Sequence, residues 1–207
     1  MKSLIARRFA GTAPAPHDRY RVPGLPGDLP PALQRLRPRT VVPAAVLVPI
    51  VERIEGLTVL FTVRSPRLRH HAGQVSFPGG RLDPSDAGPR EAALRESTEE
   101  VGLAADLVEV VGYLPNYLTI TGYSVTPVVG FVRREFQPQL DLAEVTEVFE
   151  VPLRAVLDKS NMQLLYKRFM GIKLPYFEMP WGPYRIWGAT AAMLVNFRET
   201  LEEEEVR

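Results

Sequence analysis

The stretch Gly79-Gly80-Arg81-Leu82-Asp83-Pro84-Ser85-Asp86, running on through Pro89 to Arg95-Glu96-Ser97-Thr98-Glu99-Glu100-Val101-Gly102-Leu103, decides how the rest of this chain is read. It reads as a glycine turn, a short loop, one helix and a glycine stop. Pro89 suits the first turn of a helix, where its missing N–H would have found no partner anyway. Gly102 suits the position just past the last turn, where a left-handed backbone closes the helix. Between them Glu96, Glu99 and Glu100 stand at i, i+3 and i+4 and share one arc of the helix. Leu94 and Val101, seven apart, mark a different face for burial.

Three carboxylates on one arc repel by roughly a few tenths of a kcal/mol per pair. Arg95, four residues before Glu99, offsets only part of that. A hard divalent cation removes the conflict, because Mg²⁺ prefers oxygen ligands and is held by one or two carboxylates together with substrate phosphates. On a bare helix the same glutamates would read as a solvated acidic face. The flanking glycines and the order of residue types turn the reading toward a metal site.

Composition narrows the rest. A chain of 207 residues suits one domain with decorations, and 45% apolar with 24% charged residues is ordinary for a globular protein. A formal net charge of +1 offers no general electrostatic hold on nucleic acid or membrane. Absence of cysteine excludes disulfides, thiolate nucleophiles and Cys-ligated zinc. His17, His70 and His71 lack metal-ligand spacing, and no apolar run is long enough to span a bilayer. The basic start Met-Lys-Ser-Leu-Ile-Ala-Arg-Arg has too short an apolar part for a secretory signal, so a cytoplasmic location is expected.

Residues 1–40 are Pro-rich and basic (Arg7, Arg8, Arg35, Arg37, Arg39) and read as an N-terminal arm, followed by a single domain over 41–207. Ala44 to Val51 and Leu57 to Val63 read as strands of a hairpin turning at Glu55-Gly56, with Pro49 placing the first at an edge or a bulge. Gln74 to Phe77 is a short strand leading into the glycines. Further strands are expected at Leu107–Val111, Val125–Val132, Glu147–Val151 and Tyr184–Trp187. Pro152 to Leu157 opens a turn or helix, and a terminal helix runs from Ala189 to about Glu204. Strands interrupted by one central helix and closed by another indicate an α/β (α+β) fold, a mixed β-sheet with helices on both faces.

The stretch from Gly80 to Leu103 resembles the Nudix box, ending in its Arg-Glu, Glu-Glu and Gly positions at Arg95-Glu96, Glu99-Glu100 and Gly102. Asp86 stands where the general pattern has its first glutamate, the spacer to Arg95 is one residue longer, and Ser97 replaces an aliphatic residue. Upstream, Leu60-Phe61-Thr62-Val63-Arg64-Ser65, then Arg69, Gly73 and Phe77-Pro78-Gly79-Gly80, resemble the second signature of the coenzyme A pyrophosphatase branch of the Nudix hydrolases. Only Phe61 departs from that signature, and the branch shares the Asp-for-Glu substitution. Thr126-Pro127, Glu144 to Leu153 and Ile186 to Ala191 extend the likeness over residues 41 to 197.

The resemblance implies a Nudix-like α/β/α sandwich and hydrolysis of a nucleoside diphosphate linked to another group, with Mg²⁺ or Mn²⁺. In this branch it implies cleavage of coenzyme A or its thioesters to 3′,5′-ADP and 4′-phosphopantetheine or its acyl derivative. It assigns Glu99-Glu100 to the site. The residue chemistry agrees: a pyrophosphate repels nucleophiles until metal ions and positive groups neutralise its oxygens.

Glu96, Glu99 and Glu100 are therefore the expected metal ligands, and Arg95 the residue that holds the helix carboxylates in place. Glu144 or Glu147 is expected to supply a further ligand or the general base, and the sequence does not choose between them. Arg64, Arg69 and Arg81 are candidates for phosphate contacts, because guanidinium forks match phosphate oxygens. Backbone amides of Gly79 and Gly80 are free to approach the pyrophosphate. Asp86 reads as a helix cap and loop organiser, and Trp187 and Phe197 as core. Tyr166, Phe169, Tyr176, Phe177 and Trp181 fall in an irregular stretch read as a lid, a pantetheine wall or plain packing. A small-molecule nucleotide is the expected partner, with neither nucleic acid nor membrane, and a homodimer is left open. Two other readings compete: a broader hydrolase of ADP-ribose, NADH or dinucleotides, and a nucleotide sensor without turnover.

Overall fold

A computed structural model describes residues 1–20, 40–169 and 172–203. Arg35, Arg37, Arg39 and the last residues of the acidic tail lie outside the described residues. In chain order the elements are α1 (Lys2–Phe9), β1 (Val42–Arg53), β2 (Gly56–Arg64), β3 (Val75–Ser76), β4 (Gly79–Arg81) and α2 (Pro89–Val101). There follow β5 (Val108–Tyr113), β6 (Tyr117–Leu118), β7 (Tyr123–Val132), β8 (Val145–Pro152) and α3 (Leu153–Leu157). The chain continues through β9 (Gln163–Phe169), β10 (Ile172–Trp181), β11 (Tyr184–Trp187) and α4 (Ala189–Glu202).

β1 is the spine of the main sheet. It runs parallel to β7 on one side and antiparallel to β4 and then β2 on the other, with β3 and β8 pairing onto β2 and β5 and β6 onto β7. Its residues alternate between two cores, as the two-residue period of a strand requires. Ala44, Val48 and Ile50 pack with α1, α3 and α4, whereas Ala45, Leu47 and Val51 pack under α2 with Ala92, Ala93 and Val101. The sheet therefore carries helices on both faces, as expected.

Pro49 is a correction. β1 is the central strand, not an edge. β4 pairs with Ala44–Val46 and β2 takes over from Ile50, so Pro49 falls in the gap between the two partners. Leu47 donates its N–H on that side to the carbonyl of Pro78, and two residues on, where no neighbour asks for an N–H, a proline is tolerated.

The first residues are helical and internal. Ile5 and Phe9, one turn apart on α1, are fully buried, and the Phe9 ring stacks on Phe197 of α4 with centroids 5.6 Å apart. The segment after α1 is fastened by buried polar groups: Asn116 donates to the carbonyls of Ala15 (3.1 Å) and Pro16 (3.0 Å), and Ser124 donates to that of His17 (2.8 Å). The proline content of residues 1–40 masks this helix, although Ile5 and Phe9 already show the i, i+4 spacing of a buried stripe.

The stretch around Tyr166 and Tyr176 is not irregular. β9, β10 and β11 form a second, antiparallel sheet in which Pro175 and Pro180 lie in the middle strand. Pro175 pairs with Tyr166 beyond the reach of β11, and Pro180 pairs with Arg185 beyond the reach of β9, so each proline has one neighbour only. Phe197 is core, but Trp187 sits half-buried with the Arg185 guanidinium 5.0 Å from its ring.

Candidate active site

α2 begins and ends as its residues dictate. Pro89 opens its first turn and Gly102 closes it at φ 70°, ψ 20°. Asp86 is no helix cap: Gly88 holds that position without a side-chain bond. Instead Asp86 receives both arms of the Arg95 fork, Nε to Oδ1 at 3.0 Å and Nη2 to Oδ2 at 2.9 Å, and accepts the N–H of Asp83 at 2.8 Å. The remaining arm of Arg95 donates to Glu96 (2.9 Å) and Glu99 (3.1 Å), and Nη2 also reaches the carbonyl of Arg81 (3.2 Å). The pairs hold Asp86 low despite its burial, and Arg95 far above its ordinary range. Arg95 thus ties loop, helix and glycine turn together.

Carboxylates from two distant segments converge beside it. One ligand oxygen each from Glu96, Glu100 and Glu144 lie within 4.8 Å of one another. Glu144 is brought there by backbone: Gln139 N–H donates to the carbonyl of Val101, Asp141 N–H to that of Glu100, and Ser65 N–H to that of Glu144 (2.7 Å). Glu99 stays outside this group, 59% exposed and paired with Arg95. Glu147, opposite Val63 in the β2–β8 ladder, turns to the other face of the sheet and accepts the Tyr184 hydroxyl. Among the described residues, the Glu144 and Glu147 alternatives therefore occupy different surroundings.

Glu100 is held against its own charge. Its side chain is 2% exposed, and burial pushes its carboxyl up to about 8, against the Gly79 N–H (3.1 Å) and the Arg64 guanidinium (3.6 Å). Burial also raises Glu96, opposed by Arg95. A like-charged oxygen set with one member buried and its charge only partly compensated fits a hard divalent cation.

The glycines of the turn are there for space. A Cβ on Gly80 would lie 2.4 Å from the Glu96 carboxyl carbon, and one on Gly79, at φ 151°, would lie 2.4 Å from the Ala45 carbonyl oxygen. Arg64, at the end of β2, points at this group, and its buried Nε has no hydrogen-bond partner in the structure. Arg69, His70 and His71 are exposed on the loop that follows, whose base is closed by Arg64 N–H to the Gln74 carbonyl and Gly73 N–H to the Arg64 carbonyl. Arg81 departs from expectation. It is paired with Ala44 in the β4–β1 ladder and so leaves the sheet on the face opposite to Gly80 and Glu96. There it donates from Nε to the Tyr123 hydroxyl (3.1 Å), a partner that nothing local in the sequence announces.

Residues 41–169 match the NUDIX domain. The chain belongs to the Nudix hydrolase family. Over 156 residues it is 44% identical to a protein of Escherichia coli K12 described as an uncharacterized Nudix hydrolase NudL, covering 73% of this chain and 78% of that one. A Citrobacter koseri protein of the same description agrees to the same extent. Among solved structures, the Ap4A hydrolase binary complex of C. elegans aligns with a TM-score of 0.47 at 20% identity, over 54% of this chain and 80% of that one. A MutT/nudix family protein of Enterococcus faecalis aligns with a TM-score of 0.49 at 15% identity, over 87% and 68%. Nudix hydrolases cleave pyrophosphate bonds and generally use divalent metals such as Mg²⁺ or Mn²⁺, and this Nudix hydrolase has the carboxylate cluster for one. Among the described residues, no helix is long and apolar enough to cross a membrane.

Proposed function

We propose that this Nudix hydrolase cleaves the pyrophosphate bond of coenzyme A or its thioesters, yielding 3′,5′-ADP and 4′-phosphopantetheine or its acyl derivative. The observation that carries the reading is the run from Arg64 to Gly80, which resembles the coenzyme A signature and has its first arginine facing Glu100 at 3.6 Å. One segment thus joins a substrate signature to the carboxylate group.

Glu96, Glu100 and Glu144 are the residues to hold a divalent cation, which supplies neutralisation of phosphate charge and a more acidic water. Arg64 stabilises charge on the diphosphate oxygens from the β2 side. Arg95 keeps Glu96 aligned, and the bare Cα of Gly80 leaves room for that carboxylate. The oxygen of a water bonds to one phosphorus as the bridging P–O bond breaks. The water's proton goes to a base and the leaving phosphate departs as an anion. Glu144 is the downstream carboxylate placed for a part in this step, since Glu147 is bound to Tyr184 on the other face.

The test compares coenzyme A, 3′-dephospho-coenzyme A and ADP-ribose as substrates, with and without Mg²⁺, separating products by chromatography. Coenzyme A is expected to have the highest kcat/KM and to give 3′,5′-ADP only when the metal is present. A tenfold preference for ADP-ribose would make the chain a broader nucleoside-diphosphate hydrolase, and tight binding with no turnover of any substrate would make it a sensor.

A further inference from the structure

Arg81 sits one residue from the carboxylate group yet serves the opposite face of the sheet. Its neighbour Gly80 faces Glu96, and Arg81, by strand alternation, faces the α1 and α4 side together with Ala44 and Val125. Arg81 is exposed, and no ion pair between it and a carboxylate occurs among the described residues. Two arms of its fork, Nε and Nη2, donate to the single hydroxyl of Tyr123, and the guanidinium lies 5.3 Å from the centre of that ring. The third arm, Nη1, makes no hydrogen bond to a described residue.

Both ends of this pair are held still. The Arg81 carbonyl accepts from Arg95 on the carboxylate side. Tyr123 donates its N–H to the Thr119 hydroxyl (2.9 Å), and its carbonyl accepts the Thr119 N–H (2.9 Å) in the turn between β6 and β7. An arginine with no carboxylate partner among the described residues, locked from both directions and with Nη1 unbonded among them, is pre-organised for an anion.

We propose that Arg81 binds a substrate phosphate away from the scissile diphosphate, and that Tyr123 is the positioning residue that aims it. The inference rests on the coenzyme A reading, within which that group is the 3′-phosphate. Arg64 faces the carboxylates and serves the diphosphate. Arg81 emerges on the other face of β4, away from Glu96 and Glu100, and the 3′-phosphate is the charged group of coenzyme A that lies apart from its diphosphate.

A double-mutant cycle on the full chain tests this. Arg81→Ala is expected to raise KM for coenzyme A about tenfold, the loss of one charge-assisted contact. Tyr123→Phe is expected to raise it about threefold, with kcat and Tm of both variants unchanged. Neither change should affect 3′-dephospho-coenzyme A, and Tyr123→Phe should add nothing in the Arg81→Ala background. Arg81→Lys, which keeps the charge but not the fork, should recover part of the loss and no longer depend on Tyr123. Effects equal on both substrates, or additive in the cycle, overturn the clamp.

A binding arm separates the clamp from the substrate reading: calorimetry of 3′,5′-ADP against 5′-AMP. If coenzyme A is not turned over yet 3′,5′-ADP binds more tightly in an Arg81-dependent way, the clamp stands and the substrate reading falls. If coenzyme A is cleaved but the variants keep the wild-type preference for the 3′-phosphate, the clamp falls and the substrate reading stands.

Discussion

The two faces of the main sheet are built by opposite strategies. Beneath α2, most of the chemistry comes from one continuous stretch: Gly79 to Gly102 supplies the turn, the arginine hub and two of the three clustered carboxylates. The other face is assembled from the two ends of the chain and its middle, with Ile5 and Phe9 of α1, Leu153 and Val156 of α3 and Phe197 of α4 meeting over β1 and β7. On the first face, Arg95, Arg64 and the Gly79 N–H offset part of the charge that the clustered carboxylates bring together. On the second, apolar burial and aromatic stacking provide stability. One face stores electrostatic tension and the other offsets it, so changes on the two should separate activity from stability.

The largest expected effect is Glu100→Gln. Removing this carboxylate should lower kcat about a thousandfold while leaving the metal-free protein folded. The sign follows from a folded-state value of about 8 against an ordinary 4.5. Without metal, the buried group favours folding only while protonated, so wild-type stability falls as pH rises from about 4.5 through 8. The Gln variant should lack that decline, and it should lose the gain in Tm that Mg²⁺ gives the wild type. Thermal melts from pH 5 to 9, with Mg²⁺ and with chelator, check both points.

Phe9→Ala probes the other face. Emptying a fully buried ring site should cost about 3–5 kcal/mol in urea unfolding, while the folded fraction keeps kcat/KM within about threefold. If activity per folded molecule collapsed as well, the division between the faces would be wrong.

Glu144 and Glu147 lie three residues apart on opposite faces and sharpen the contrast. Glu144→Gln should reduce kcat about a hundredfold, and Glu147→Gln should leave it within about threefold, measured at saturating substrate and metal. Reversal of that order would move the downstream carboxylate to the Tyr184 side.

The smallest effect belongs to a pin away from both centres. Glu150 is raised by burial but held below its ordinary value by Arg53 (2.5 Å) and Thr58 (2.6 Å), and Arg53 also donates to the Arg134 carbonyl. A lowered value means that its stabilisation is present above about pH 4.5 and lost as pH falls below it. Glu150→Gln should cost about 1 kcal/mol at pH 7, and the difference from wild type should shrink in acid denaturation below pH 4.

The features legible in the chain are local. The extent of α2 is written in Pro89 and Gly102, because capping depends on residues within one turn of the helix end. β1 and β7 are legible as strands because both of their faces are buried and their apolar runs are continuous. Membership of the family and the shared acidic arc of the glutamate helix follow from residues that are neighbours in the chain.

The remaining features depend on pairs far apart in the chain. The spacing of Glu96, Glu99 and Glu100 defines an arc, but Arg95 draws Glu99 outward while the loop tied to Val101 and Glu100 delivers Glu144. Pro49 sits centrally because β1 changes partners at that point, and Pro175 and Pro180 fit a middle strand because each meets one neighbour. α1 is core because Asn116 and Ser124, a hundred residues on, hold the segment behind it. The Arg81–Tyr123 pair joins two strands on either side of β1. Local propensity acts over a few residues, whereas burial and hydrogen-bond partners are assigned only when the strands have found their order.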